Sequence, residues 1–105
     1  MNKIFFAEPD SKTKFNLLVG INRPIDPSHV TKLATSVESM GIIRPVVVVR
    51  TNIIDGIMKN YILDGQHLSF VCLRLNISMP YVFVEVKDQK DLIEKIALLN
   101  ASSKS

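Results

Sequence analysis

Cysteine is nearly absent from this chain of 105 residues: Cys72 is the only one. A single cysteine excludes an intrachain disulfide framework, and one Cys with two His cannot build a zinc cluster. Glycine is scarce at four residues, and there is neither an internal repeat nor a low-complexity tract, so linker and solenoid architectures are excluded. No apolar run approaches the roughly 18 residues that a membrane-spanning helix requires. The N-terminus Met1-Asn2-Lys3-Ile4-Phe5-Phe6-Ala7 is basic and then apolar, but its apolar part falls short of the roughly 7–15 residues of a secretory signal. A cytoplasmic protein is expected.

What remains is the composition of one globular domain, 47% hydrophobic and 22% charged. Net charge is +3, and it is unevenly placed. Residues 1–60 carry eight Lys/Arg against five Asp/Glu, whereas residues 61–105 carry five of each. The excess runs through Lys12, Lys14, Arg23, Arg44, Arg50 and Lys59, which permits nucleic acid or nucleotide as a partner.

The chain is organised around residues 61–75. Tyr61-Ile62-Leu63 reads as a short strand, Asp64-Gly65 as a sharp turn, and Gln66 to Leu75 as a helix. Leu68, Val71, Cys72 and Leu75 recur at i, i+3, i+4, i+7, an apolar helical face on which Cys72 is a small core residue and Leu68 part of the packing. Asp64 is placed to cap the helix, and Gly65 lets the backbone turn or approach a ligand closely. Gln66 and His67 occupy the first helical turn, beside amides that favour an anion such as phosphate.

Upstream, residues 3–7 read as a strand closed by Pro9, and residues 15–19 as strand or loop. Pro24 holds Arg23 extended. Asp26-Pro27 opens a first helix as N-cap and first helical residue; Val30, Leu33, Ala34, Val37 and Met40 form its apolar stripe, and Gly41 ends it. His29, in its first turn, is expected to face solvent. Val46-Val47-Val48-Val49 is a strand buried on both faces that continues to Ile54. Asp55-Gly56 then signals a hairpin, pairing the valine strand antiparallel with the strand ending at Asp64. Residues 81–86 make a further strand. A last helix follows, with Leu92, Ile93, Ile96, Ala97 and Leu99 on its apolar side and Asp91 and Lys95 one turn apart. Residues 100–105 are polar and stop abruptly, as in a piece of a longer protein. The mixture lacks regular βαβ alternation and predicts an α+β fold, a small mixed sheet packed with about three helices.

Four segments then fall in a telling order: Asn22-Arg23-Pro24; Gly41-Ile42-Ile43-Arg44-Pro45-Val46-Val47-Val48; Tyr61-Ile62-Leu63-Asp64-Gly65-Gln66-His67; and Pro80-Tyr81-Val82. Together they resemble the ParB/sulfiredoxin superfamily, specifically the ParB N-terminal-like or ParB-like nuclease domain. The resemblance covers about residues 20–105, leaving residues 1–19 as an N-terminal extension. Asp64-Gly65-Gln66-His67 is similar to a branch of the superfamily carrying Asp-Gly-Gln-His-Arg, with a later Asn and Lys to which Asn100 and Lys104 correspond. The resemblance implies a DNA-associated domain of a plasmid, phage or mobile-element protein, as in plasmid partition. It implies phosphates of a nucleoside triphosphate with Mg, or of nucleic acid, bound by Gly65, Gln66, His67, Arg44, Asn100, Ser103 and Lys104. Arg23 and Arg44 are nucleic-acid contacts on this reading, and a homodimer is a further implication. The alternative is a nuclease or a nucleotide hydrolase or phosphotransferase using His67 and Asp64, or a degenerate protein-interaction domain. Leu68 stands where the family places an arginine. Gln66 stands where sulfiredoxin needs cysteine, so the resemblance does not extend to sulfinic-acid reduction.

Overall fold

The computed structural model describes residues 3–9, 14–18 and 24–102, with side chains described up to residue 99. Five strands and three helices alternate irregularly: β1 (Ile4–Ala7), β2 (Asn16–Leu17), α1 (Pro27–Met40), β3 (Val46–Thr51), β4 (Lys59–Asp64), α2 (Gln66–Leu75), β5 (Met79–Val84) and α3 (Gln89–Ser102). The strands form one mixed sheet in the order β1-β5-β3-β4-β2. β3 is central, antiparallel to β4 and parallel to β5. β1 adds antiparallel to β5, and β2 adds parallel to β4. The predicted α+β class with a small mixed sheet and three helices is what forms.

The valine run explains why β3 is central. Val46, Val48 and Val49 are each fully buried. Alternation sends Val49, with Tyr61 and Leu63 of β4, toward Leu92 and Ile96 of α3. It sends Val46 and Val48, with Ile62, toward Cys72 of α2 and Met79. On that side α2 is itself covered: its Val71 packs with Val30, Ala34 and Val37 of α1. The layers therefore run α3, sheet, α2, α1. Leu68 joins both clusters on the α2 side, as its place in the stripe predicts. Burial pushes the Cys72 thiol above its ordinary range, consistent with a core role.

The α1 boundaries follow the sequence signals. The Asp26 carboxylate accepts from the Ser28 and His29 N–H groups at 3.0 and 3.4 Å, with Pro27 next. At the other end Gly41, at φ 79°, donates to the Val37 carbonyl at 2.8 Å.

Three expectations are corrected. The valine strand stops at Thr51 rather than running to Ile54, because Thr51 Oγ1 accepts from the Ile53 N–H at 3.1 Å and Gly56 N–H closes onto the Asn52 carbonyl at 2.9 Å. The β3–β4 connection is thus a longer loop around Asp55-Gly56. The last strand is β5, Met79–Val84, shifted from the predicted 81–86. Pro80 is tolerated because pairing with β3 begins only at Tyr81, so its missing N–H falls where β5 has one neighbour. In α3 the buried stripe is narrower than predicted: Leu92 and Ile96 are buried and Leu99 packs beside them, but Ile93 and Ala97 are exposed. No helix among the described residues is long and apolar enough to cross a membrane.

The start of α3 is held by exchanged carboxylate bonds. Asp88 accepts from the Asp91 N–H at 2.8 Å, and Asp91 accepts from the Lys87 N–H at 2.9 Å and pairs with Lys95 at 2.9 Å. The Lys87 amide first, then the Lys95 ammonium, holds the Asp91 carboxyl below its ordinary range. A carboxylate depressed in the folded state contributes stability above its unfolded pKa, and that contribution is lost as pH falls through the folded one. Thermal unfolding of Asp91→Asn is expected to show a lower Tm than the parent at neutral pH, with the difference closing in strong acid. An equal difference at both pH values would refute the assignment.

Candidate functional site

The site is built where β4 ends and α2 begins. Gly65 caps α2 in the left-handed region, φ 97° and ψ 24°. A side chain there would meet strand β3 as well as backbone strain: a Cβ would lie 3.1 Å from Val46 Cγ2 and 3.2 Å from Val46 Cα. The turn backbone therefore lies directly on the first residue of β3, with Val47 opposite Asp64 in the ladder and a register irregularity just beyond it. This seating brings the segment before β3 to the turn. Arg44 Nη2 lies 3.3 Å from Asp64 Oδ2; the Arg44 side chain is 66% exposed and that of Asp64 only 21%. Asp64 therefore does not cap α2, which has no side-chain cap, and the capping expectation is corrected. The ladder aims the carboxylate at Arg44 instead.

His67 joins the turn to α1. Its Nε2 accepts from the Asp26 N–H at 3.2 Å. Its ring stands edge-to-face on His29, with centroids 4.6 Å apart. His29 is half-buried rather than solvent-facing, because α1 packs on α2 with the two helix starts side by side and the His67 ring lies against it. The two N-termini thus meet around one imidazole pair, with the Arg44 guanidinium at the adjoining turn. Helix N-termini carry partial positive charge. The Asp26 carboxylate already meets the α1 start and Asp64 the Arg44 charge, so what the cluster offers an anion is the positive end of α2 with a largely exposed guanidinium beside it.

Of the residues expected at the site, Arg44, Asp64, Gly65 and His67 are brought together. Gln66 opens α2 but is 8% exposed, so contact with a ligand would run through its backbone rather than a displayed amide. Asn100 lies in α3, its side chain outside the described residues, as are Arg23, Ser103 and Lys104 altogether. Asp26 and His29 belong to the cluster, although sequence reasoning does not place them there. The capping signal of Asp26 is legible, but its contact with His67 spans 41 residues and has no local signature. Among the described residues no three His, Cys, Asp or Glu gather to hold a metal ion.

The sheet order and the strand–turn–helix joint define the class: this is a ParB/sulfiredoxin-like fold. The solved structures it resembles include the C-terminally truncated chromosome-partitioning protein ParB from Caulobacter crescentus complexed with CTP-γ-S, at a TM-score of 0.70 and 15% identity. That match covers 98% of this chain and 55% of the ParB chain, so the chain spans about half of that neighbour's length. Sulfiredoxin from Arabidopsis thaliana matches at a TM-score of 0.62 and 18% identity, covering 90% of this chain and 97% of that one. The sequence matches no protein-family model and no curated protein.

Two substitutions test the geometry. Gly65→Ala should destabilise the fold by about 2 kcal/mol, from left-handed strain and the Val46 contact together. His67→Ala should remove the acceptor for the Asp26 N–H and lower stability by about 1 kcal/mol. Urea unfolding measures both, and a neutral Gly65→Ala would show that the turn relaxes away from β3.

Proposed function

We propose that this chain is a ParB-like, DNA-associated domain of a plasmid, phage or mobile-element protein, and that its Gly65 turn holds the phosphates of a nucleotide. The observation that carries the reading is the Arg44–Asp64 pair at the open end of α2. Asp64 accepts from one nitrogen of a guanidinium whose side chain stays largely exposed, so the remaining donors are available to phosphate oxygens beside the helix start. Arg44 supplies from the β3 side a cation that Leu68 cannot supply from the helix. The fold neighbour that carries a CTP analogue supports nucleotide as the ligand class. Magnesium would travel with the triphosphate, held by its oxygens.

The alternative, a nuclease or phosphotransferase, needs Asp64 and His67 to act jointly on one substrate. Here Asp64 is paired with Arg44, and His67 Nε2 accepts from the Asp26 backbone. Each is engaged by its own partner, so the geometry favours binding over catalysis by this pair.

Isothermal titration with CTP and ATP, each with Mg²⁺, at low and moderate salt tests the proposal. Binding should be strongest at low salt. Arg44→Ala should weaken it about tenfold, the effect of removing roughly 1.4 kcal/mol of charge-assisted hydrogen bonding. If neither nucleotide binds at low salt, the turn is not a nucleotide site.

A further inference from the structure

A second concentration of positive charge lies at the opposite end of the sheet. β3 runs away from the Gly65 turn, and its Arg50 stands across from Asn60 of β4, with Thr51 across from Lys59. Four strand steps of about 3.3 Å separate Arg50 from Val46, so the two places lie on the order of 13 Å apart along β3. There Lys14, Arg50 and Lys59 converge with Asn16, Asn60 and Met58 on an open cleft of about 480 Å³. Asn60 organises it. Its carbonyl accepts from Asn16 Nδ2 at 3.2 Å, and its side-chain oxygen accepts from Arg50 Nη1 at 3.3 Å. Lys59 is paired with Asp55 on the β3–β4 loop, and that bond first among several causes holds the Asp55 carboxyl below its ordinary range. Asp55 does not line the cleft, and neither does any other carboxylate among the described residues. Lys14 and Arg50 remain exposed, a surplus of two cations.

The cleft on the other side of Arg50 provides a contrast. It is lined by the same Arg50 with Lys87 and Lys95, but also by Glu85 and Asp91, so carboxylates offset all but one of its cations. Lys95 there is held by Asp91 and the Glu85 carbonyl. The larger positive surplus, with no carboxylate in the lining, is therefore on the β2–β4 side.

We infer that this β2–β4 cleft is a contact for the phosphodiester backbone of duplex DNA, separate from the nucleotide turn. The inference rests on the DNA-associated reading of the chain only for the choice of polyanion. Cationic side chains and amide donors match phosphate oxygens, and such contacts position a duplex without reading its sequence. No aromatic ring lines the cleft. It therefore lacks the stacking platform by which single strands or free nucleobases are held. Lys14 projects from just before β2 and Arg50 from the neighbouring part of the sheet, so the cleft is a feature of the assembled sheet rather than of one segment.

Fluorescence anisotropy with a labelled short duplex of mixed sequence, at several salt concentrations, tests the inference. Lys14→Glu/Arg50→Glu is compared with the parent chain, with Lys14→Gln/Arg50→Gln as the milder pair should charge reversal perturb folding; thermal unfolding checks both. The parent should bind at low salt, and both pairs should weaken binding about tenfold or more. The slope of log affinity against log salt should shrink by about 0.9 for each phosphate that is no longer neutralised. Nucleotide affinity should be unchanged in the same variants, and a single strand of equal length should bind no tighter than the duplex. Duplex binding with unaltered affinity and slope in the Gln pair would overturn the inference, as would no duplex binding by the parent or a clear preference for single strands. Failure of the nucleotide site alone would leave it standing, so the two readings fail separately.

Discussion

The seating of Gly65 on Val46 is the constraint from which the functional architecture follows. Two backbones approach closely there, one at the end of β4 and one at the start of β3, and a Cβ on residue 65 would crowd Val46 as well as strain the left-handed backbone. It allows α2 to leave the sheet immediately after Asp64. It also brings Arg44, two residues before Val46, within reach of the Asp64 carboxylate. A larger residue at 65 would strain the helix start against the sheet, next to the only ion pair that ties the turn to the segment before β3 among the described residues. The strain that glycine avoids and the position of the guanidinium are one geometric fact.

Packing on either side of the sheet then determines what that turn can meet. Alternation along β3 gives Val46 and Val48 to the α2 side and Val49 to α3, so α2 is held flat against the sheet while α1 covers it. Because α1 packs on α2 from its first turn onward, its own N-cap arrives beside His67. The imidazole consequently links two helix starts. Its accepting nitrogen gives the cluster rigidity, while Arg44 at the rim retains exposure for a ligand. On the proposed reading, helix-start amides with an exposed guanidinium beside them suit phosphate better than proton transfer, which needs a base whose lone pair is uncommitted.

Sequence patterns are informative wherever a local rule operates. Asp26-Pro27 and Gly41 mark both ends of α1, the valine run marks the central strand, and the apolar stripe from Leu68 to Leu75 marks α2. Each rests on backbone geometry or side-chain period within a few residues. The misreadings have a common origin. Ile53 and Ile54 look strand-like, but Thr51 and Asn52 accept loop amides and end the strand first. Asp64 looks like a cap, yet its place in the ladder turns it toward Arg44. Ile93 looks like core, but the face of α3 that packs on the sheet is centred on Leu92, Ile96 and Leu99 and leaves Ile93 outside it.

The order of residues along the chain was enough to specify the class of fold, the strand–glycine–helix joint and the residue types found at that joint. Those properties follow from periodicity, capping and the conformational reach of glycine, all of which act over short spans of chain. Folding in three dimensions was needed to set Arg44 against Asp64, to bring His67 to the start of α1, and to gather Lys14, Arg50 and Lys59 on one cleft. These are encounters between residues far apart in the chain or on different strands, set by sheet order, register and helix crossing. Spacing along the chain anticipates a pair one helical turn apart, such as Asp91 and Lys95, but not which charges from distant segments will end as neighbours.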